Sequence, residues 1–354
     1  MYLKPDSQIV PGRGLPRVSI VIPCFNEEAA LPHLLAALRP LCADMVESGR
    51  AIAPVEVLLV DDGSRDATWD LIRAAAETDD ATLRLRGLKL SRNHGHQRAL
   101  LAGLMTAKGE VVISMDADLQ DDPRAALQML DAWRGGAEIV YGQRSARDHD
   151  SAFKRMTARG FYSVMRRFGV NLVPDHADYR LMSRKALNVL ARFGEENLFL
   201  RGVVPLIGLE SAIVTYERPP RIAGETKYPL AKMLGLAIEG ITSFSVRPLR
   251  MITWAGLGMA ALSMAYLAYA LGAWIVGGTV RGWMSMIVSM TLLGGMQMFA
   301  LGVIGEYIGK IYTETKRRPR FIVDEIAEPH AESVQPMRHE TVDRAAARRD
   351  ATVF

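Results

Sequence analysis

The chain has 354 residues and a formal net charge of +4 at pH 7, enough for one large folded domain plus a further element, since single cores stop growing near about 250–300 residues. Its two cysteines, Cys24 and Cys42, exclude a disulfide framework and a paired CxxC zinc or redox site. The charge is too mild to argue for nucleic acid, and part of it sits beside a late apolar block, which points to anionic lipid headgroups.

Residues 1–16 are polar and rich in Pro and Gly, and are expected to form a mobile lead-in. No basic start followed by an apolar run occurs there, so no cleavable signal is expected and the first domain should stay where it is made. Short β-branched runs follow: RVSIVIP at 17–23, VEVLLV at 55–60, EVVISM at 110–115 and AEIVYG at 137–142, with helix-like segments at 27–48, 66–78, 94–107 and 123–134. Continuous apolar strands alternating with helices predict an open α/β domain with a mostly parallel sheet covered on both faces. Such domains bind ligands beyond the C-terminal ends of their strands. The polar clusters lie there: PCFNEE at 23–28, DDGSRDAT at 61–68 and DADLQDDP at 116–123.

Residues 228–246 place Leu230, Leu234, Ile238 and Ile241 near helical spacing. That pattern predicts an amphipathic helix lying in a membrane interface, with a plain packing helix as the alternative. Two uncharged stretches follow, 251–280 and 282–305, with Arg281 the only charge between Met251 and Gly305. Each exceeds the roughly 20 residues that span a bilayer, so a transmembrane helical hairpin is expected. The first carries seven Leu, Ile, Val or Phe residues from Met251 to Val276, so its insertion is favourable by only about 2–4 kcal/mol. Arg247 and Arg250 precede the hairpin while Lys310, Lys316, Arg317, Arg318 and Arg320 follow it. The positive-inside rule then puts both outer ends, both termini and the first domain in the cytoplasm, on a multi-pass inner-membrane protein. Beyond Val323 a polar mobile tail is expected, with a little helix near 340–349.

The divisions expected are therefore a lead-in at 1–16, a folded domain at 17–226, a juxtamembrane segment at 227–250, the hairpin at 251–309 and a basic stretch with tail at 310–354.

Asp116 and Asp118 sit at i and i+2 after a strand and leave the same side of an extended chain. Such a pair can share one hard cation while leaving positions open for substrate phosphates. A cation there would stabilise charge growing on a leaving nucleoside diphosphate. Asp61 and Asp62 suit hydrogen bonds to a nucleobase or ribose, and Asp66 or Ser64 can cap the following helix. Asn26 and Glu27 occupy the corresponding turn after the first strand, where capping is again the alternative. His94 and His96 form an HxH, read as a helix start and not as a metal site, because a hard cation on a diphosphate prefers oxygen.

Taken together, VIPCFNEE, DDGSRDAT, LSRNHGHQRALLAGL at 90–104, MDADLQDDP, YGQR at 141–144, DYRLMSR at 178–184 and AGETKYPLAKM at 223–233 resemble the family 2 glycosyltransferases, in their polyprenyl-phosphate branch. The resemblance covers roughly residues 17–320. It implies a GT-A fold in which Pro23, Asn26, Glu27, Asp61 and Ala117 line the nucleotide-sugar pocket. Asp116, Asp118 and Gln120 would hold Mg2+ or Mn2+. Arg144, Arg221 and Lys227 would reach the diphosphate or the acceptor phosphate, with Lys154 or Arg155 as a further contact to the lipid phosphate. Asp178 stands where many relatives have a base, and either takes a proton or orients Arg180 or Lys227. The absence of a QxxRW motif argues for one sugar per cycle. The expected reaction is inverting transfer from a nucleotide-sugar to a polyprenyl phosphate in a bilayer, by a homo-oligomer for which the resemblance implies a tetramer. Transfer to another lipid such as diacylglycerol, or a silent scaffold of the same fold, are the alternatives.

Overall fold

The computed structural model describes residues 2–3, 13–78, 80–144, 176–196, 199–216, 242, 245–276 and 282–329. The strands are β1 (Tyr2–Leu3), β2 (Arg17–Cys24), β3 (Ile52–Asp61), β4 (Leu83–Leu90), β5 (Val111–Ser114), β6 (Ile139–Arg144), β7 (His176–Ser183), β8 (Ser211–Tyr216) and β9 (Val323–Ala327). They form one sheet in the order β1-β8-β6-β7-β5-β2-β3-β4-β9. Five neighbouring pairs are parallel, whereas β7 runs antiparallel to β5 and β6, and β9 antiparallel to β4. The mostly parallel α/β expectation is met.

The helices that cover this sheet are α1 (Leu31–Glu47), α2 (Thr68–Ala76), α3 (His96–Thr106), α4 (Ala125–Arg134), α5 (Arg184–Leu190) and α6 (Leu200–Leu206). Alternation along the strands assigns each face its own core. Ile20, Ile22, Val57 and Leu59 pack with Leu34 of α1, Ile72 of α2 and Met129 of α4. Val21, Leu58 and Val60 face the other way, onto Leu100 and Leu104 of α3 and Val203 of α6. Because both faces are covered, these strands read as unbroken apolar runs.

β4 escapes that reading. LRLRGLKL places charges inside a strand, and Arg86, only 3 % exposed, is kept there by the carboxylates of Glu56 and Glu328. Two further expectations are corrected. Of the lead-in, residues 1 and 4–12 lie outside the described residues, but Tyr2 and Leu3 pair with Ser211 and Ala212, and Arg13 donates to the carbonyls of Trp133 and Ala137 and pairs with Glu138 at 2.8 Å. The tail beyond Val323 begins as β9, paired to the otherwise open edge of β4, with Trp69 Nε1 donating to Glu325 at 3.1 Å. Residues 340–349 lie outside the described residues.

Two long helices complete the chain, α7 (Arg247–Ile275) and α8 (Trp283–Lys316). Tyr307 Oη donates to the Ser245 carbonyl and Lys310 Nζ to Thr242, each at 2.5 Å, so the start of α7 lies beside the last turns of α8. Their apolar side chains face outward: Trp254 is 70 % and Phe299 68 % exposed. Among the described residues one segment, Leu292–Lys316, is long and apolar enough to cross a membrane. The amphipathic segment expected at 228–246 falls almost wholly outside the described residues.

Candidate active site

Strand order reverses between β2 and β5: the chain runs outward through β3 and β4 and returns to place β5 on the other side of β2. A crevice opens at such a switch point beyond the C-terminal strand ends. Here it is a cleft of about 310 Å³ whose lining includes Pro23, Glu27, Asp62, Gly95, His96, Asp116, Ala117 and Asp118.

The loops around it lock one another. Asn26 adopts a left-handed φ of 55°, donates its amide to Ser64 Oγ and accepts the Arg65 amide, each at 2.9 Å. The Glu27 amide donates to Thr68 Oγ1 at 2.8 Å, and Asp66 accepts the Thr68 amide at the mouth of α2. Asp61 is buried with Oδ1 on the Ser64 amide and Oδ2 without a partner; burial raises its pKa. Asp62 accepts the amides of His94 at 2.7 Å and Gly95 at 2.9 Å, fixing the start of α3 over β3. Gly63 is required between them: at φ 69° a Cβ would lie 2.5 Å from the Arg92 carbonyl carbon.

Asp116 and Asp118 both face this cleft. Asp118 is exposed and accepts the Gln120 amide at 3.1 Å, while buried Asp116 Oδ1 has no hydrogen-bond partner. Burial raises the Asp116 pKa, with His96 opposing. Burial also raises that of Glu27, followed by the charges of Asp118 and Asp66. A buried, unsatisfied oxygen beside a second carboxylate fits a hard divalent cation. No group of three or more His, Cys, Asp or Glu side chains that could hold a metal ion occurs among the described residues, so further positions would fall to an amide oxygen, substrate or water. The side chains able to hold the ion are Asp116 and Asp118; Gln120 adjoins them.

Asp178 lies just behind. Its Oδ1 accepts Arg180 at 2.5 Å and Arg201 at 3.3 Å, and its Oδ2 accepts Arg201 and Gln97, each at 3.1 Å. His96 Nε2 stands 3.5 Å from Asp178 and 3.6 Å from Asp116. Burial alone would raise the Asp178 pKa, but the bond from His96 and the charges of Arg180 and Arg201 hold it far below the usual carboxylate range. Such a group is a poor base, and its contacts match the alternative in which it orients Arg180. The His96 pKa is raised by its bond to Asp178.

Arg144 forks onto Asp121, at 2.9 and 3.1 Å, at the edge of the described chain. Lys154, Arg155, Arg221 and Lys227 lie outside the described residues. Asp121, Arg201 and the bridging place of His96 were not legible beforehand. The HGH segment was visible, but only the fold sets His96 between two carboxylates from other strands.

Residues 19–190 match the family described as glycosyl transferase family 2, and residues 247–311 match the GtrB C-terminal hairpin. The chain is 45 % identical over 331 residues to an uncharacterized glycosyltransferase, YkoT, of Bacillus subtilis, covering 93 % of this chain and 97 % of that one. It is 39 % identical over 316 residues to a bactoprenol glucosyl transferase of Shigella phage SfX, covering 87 % and 98 %. A mannosyltransferase from Pyrobaculum calidifontis, solved with GDP-Man and Mn2+, matches at 18 % identity and a TM-score of 0.40, over 86 % of this chain and 90 % of that one. On the family model and the two relatives, the chain belongs to the family 2 glycosyltransferases and is a glycosyltransferase, built on a mostly parallel α/β sheet.

Proposed function

We propose that this enzyme carries out metal-dependent, inverting transfer of a single sugar from a nucleotide-sugar, a UDP-linked hexose, to polyprenyl (undecaprenyl) phosphate at the cytoplasmic membrane face, supplying a lipid-linked sugar for the cell envelope. The observation that carries the reading is the Asp116–Asp118 pair in a cleft at the β2–β5 switch point, one oxygen buried without a partner. Asp116, Asp118 and the adjoining Gln120 would hold Mg2+ or Mn2+, which would supply charge neutralisation at the leaving diphosphate. Pro23, Asn26, Glu27, Asp61 and Ala117 form the nucleotide-sugar side. Arg144, Arg221 and Lys227, with Lys154 or Arg155, take the phosphates, where guanidinium forks suit two oxygens at once.

The acceptor oxygen belongs to a phosphate already ionised at neutral pH, so little base catalysis is needed. The saturated contacts of Asp178 agree with that: it orients Arg180, Arg201 and His96. Support for a lipid acceptor comes from relatives named bactoprenol glucosyl transferase and from the outward apolar surfaces of α7 and α8, which we read as a two-span hairpin. The return of β9 to the sheet supports a topology with both ends of that hairpin on the catalytic side. The enzyme assembles as a homo-tetramer in this reading.

The test is incubation of the full chain with a panel of nucleotide-sugars and either undecaprenyl phosphate or diacylglycerol, followed by mass spectrometry of the lipid fraction. A polyprenyl-phosphate hexose formed only with divalent cation is expected. Full activity in excess chelator would sink the metal mechanism, and product on diacylglycerol alone would sink the acceptor assignment.

A further inference from the structure

Strand β7 runs antiparallel to both β5 and β6, so those two run parallel to each other and end on the same side of the sheet. Arg180 of β7 pairs with Ser114 on one side and Tyr141 on the other. The residues just beyond them, Asp116 after β5 and Arg144 at the end of β6, therefore stand at about the same height, with Asp178 of β7 between them.

One carboxylate ties these strand ends together. Asp121 lies buried in the loop that follows Asp118 and accepts Arg144 Nε at 2.9 Å and Nη2 at 3.1 Å, one bond to each oxygen. The loop is also fixed from β7, where Tyr179 Oη donates to the carbonyls of Asp122 at 3.2 Å and Pro123 at 3.1 Å. Tyr216 of β8 is the register partner of Arg144 and packs edge-on against Tyr179, ring centroids 5.4 Å apart. Gly142 permits this close approach: a Cβ there would lie 2.8 Å from the Tyr179 carbonyl oxygen.

The two members of the ion pair are unequal. The Asp121 side chain is 5 % exposed and that of Arg144 33 %, so the carboxylate is the anchored partner. A guanidinium has five N–H donors, and the fork onto Asp121 leaves the others for a further acceptor. Held along one edge, the planar group presents its other edge in a fixed direction, which suits two phosphate oxygens.

We infer that Asp121 is a positioning residue, which holds the Arg144 guanidinium by one edge so that its remaining donors meet a substrate phosphate. The inference rests on the reading of Arg144 as a phosphate contact. A nucleotide-sugar and a lipid phosphate share this chemistry, and the experiment separates them.

Transfer by the full chain in neutral detergent is measured for wild type, Asp121→Asn, Arg144→Gln and the double variant, with nucleotide-sugar and undecaprenyl phosphate varied in turn and folding checked by thermal unfolding. Asp121→Asn is expected to raise KM about tenfold for one of the two substrates, the equivalent of one charged hydrogen bond left unmade. The Kd of that substrate, from equilibrium titration, moves with its KM. Arg144→Gln raises the same KM at least as much, and adding Asp121→Asn to it costs less than about twofold more, because nothing is left for Asp121 to hold. A rise confined to the nucleotide-sugar names the diphosphate as the partner of Arg144, and one confined to the lipid names the acceptor phosphate. Losses that multiply in the double variant, or equal rises in both KM values, make Asp121 a strut of its loop and overturn the inference. Should Asp121→Asn unfold, Arg144→Lys tests the same fork from the other side: it keeps the charge but not the planar edge, and wild-type KM values overturn the inference. Arg144→Gln with wild-type constants refutes instead the phosphate role of Arg144.

Discussion

A buried carboxylate oxygen without a hydrogen bond opposes folding, and Asp116 Oδ1, with His96 at 3.6 Å offsetting part of the cost, is such an atom. Its folded pKa lies above the unfolded value, so at neutral pH its ionisation costs stability, and the cost disappears as pH falls below the unfolded value. Asp116→Asn is therefore expected to raise the melting temperature of the protein in chelator while lowering transfer at least about 100-fold, the scale of losing a group that binds the metal. Asp118 is exposed and holds only the Gln120 amide. Asp118→Asn should abolish transfer to a similar degree with metal-free thermal unfolding nearly unchanged. Asp178 has the opposite sign. Its depressed pKa contributes stability that is present above the ordinary value of 3.8 and lost as pH falls below it. Asp178→Asn leaves Arg180, 1 % exposed, without its counter-ion. A loss of about 3–5 kcal/mol in denaturant unfolding is expected.

At the scale of elements, β9 does what a disordered tail would not. It covers the β4 edge, which would otherwise offer unpaired backbone groups to other chains. It also carries Glu328 to the buried guanidinium of Arg86, beside Glu56, whose carboxylate accepts Ser19 Oγ and the Lys108 amide. A chain ending after Ile322 loses the ladder and one of the two carboxylates on Arg86. It should unfold about 3 kcal/mol more easily and aggregate on warming. Unchanged denaturation and light scattering would return residues 323–329 to the status of a passive tail.

For the whole molecule, the consequential fact is that the apolar helices leave the catalytic domain and come back to it. The start of α7 lies beside the end of α8, and β9 then re-enters the sheet. In a membrane this geometry sends the turn between the helices to the far side. A cysteine introduced near Thr279 should be labelled by an impermeant reagent from outside the cell, and one near Lys316 only after the cell is opened. The reverse pattern would overturn the cytoplasmic assignment of the active site. A second expectation follows for the segment before α7. Replacing Leu234 and Ile238 by Asp should impair transfer to long-chain acceptors more than nucleotide binding, measured side by side; equal losses would make that segment part of the nucleotide pocket.

What was legible in the sequence followed from periodicity and from the chemistry of strand ends. The runs at 17–23, 55–60, 110–115 and 137–142 are largely buried on both faces, so their apolar continuity announces parallel strands, and the carboxylates after the first three lie at one rim. The uncharged block beyond residue 250 likewise announces helices whose apolar side chains are exposed among the described residues. Tertiary structure decided the rest, because it depends on pairs far apart in the chain. Arg86 meets Glu328, 242 positions away, only in the folded chain. The sequence leaves Asp178 between taking a proton and orienting Arg180 or Lys227, and only the folded chain brings Gln97, Arg180 and Arg201 onto its two oxygens. His96 reads as a helix start, and it is one, but only β5 and β7 set Asp116 and Asp178 beside it. Local pattern records which face a residue presents; which charge it meets there is settled only when the sheet is assembled.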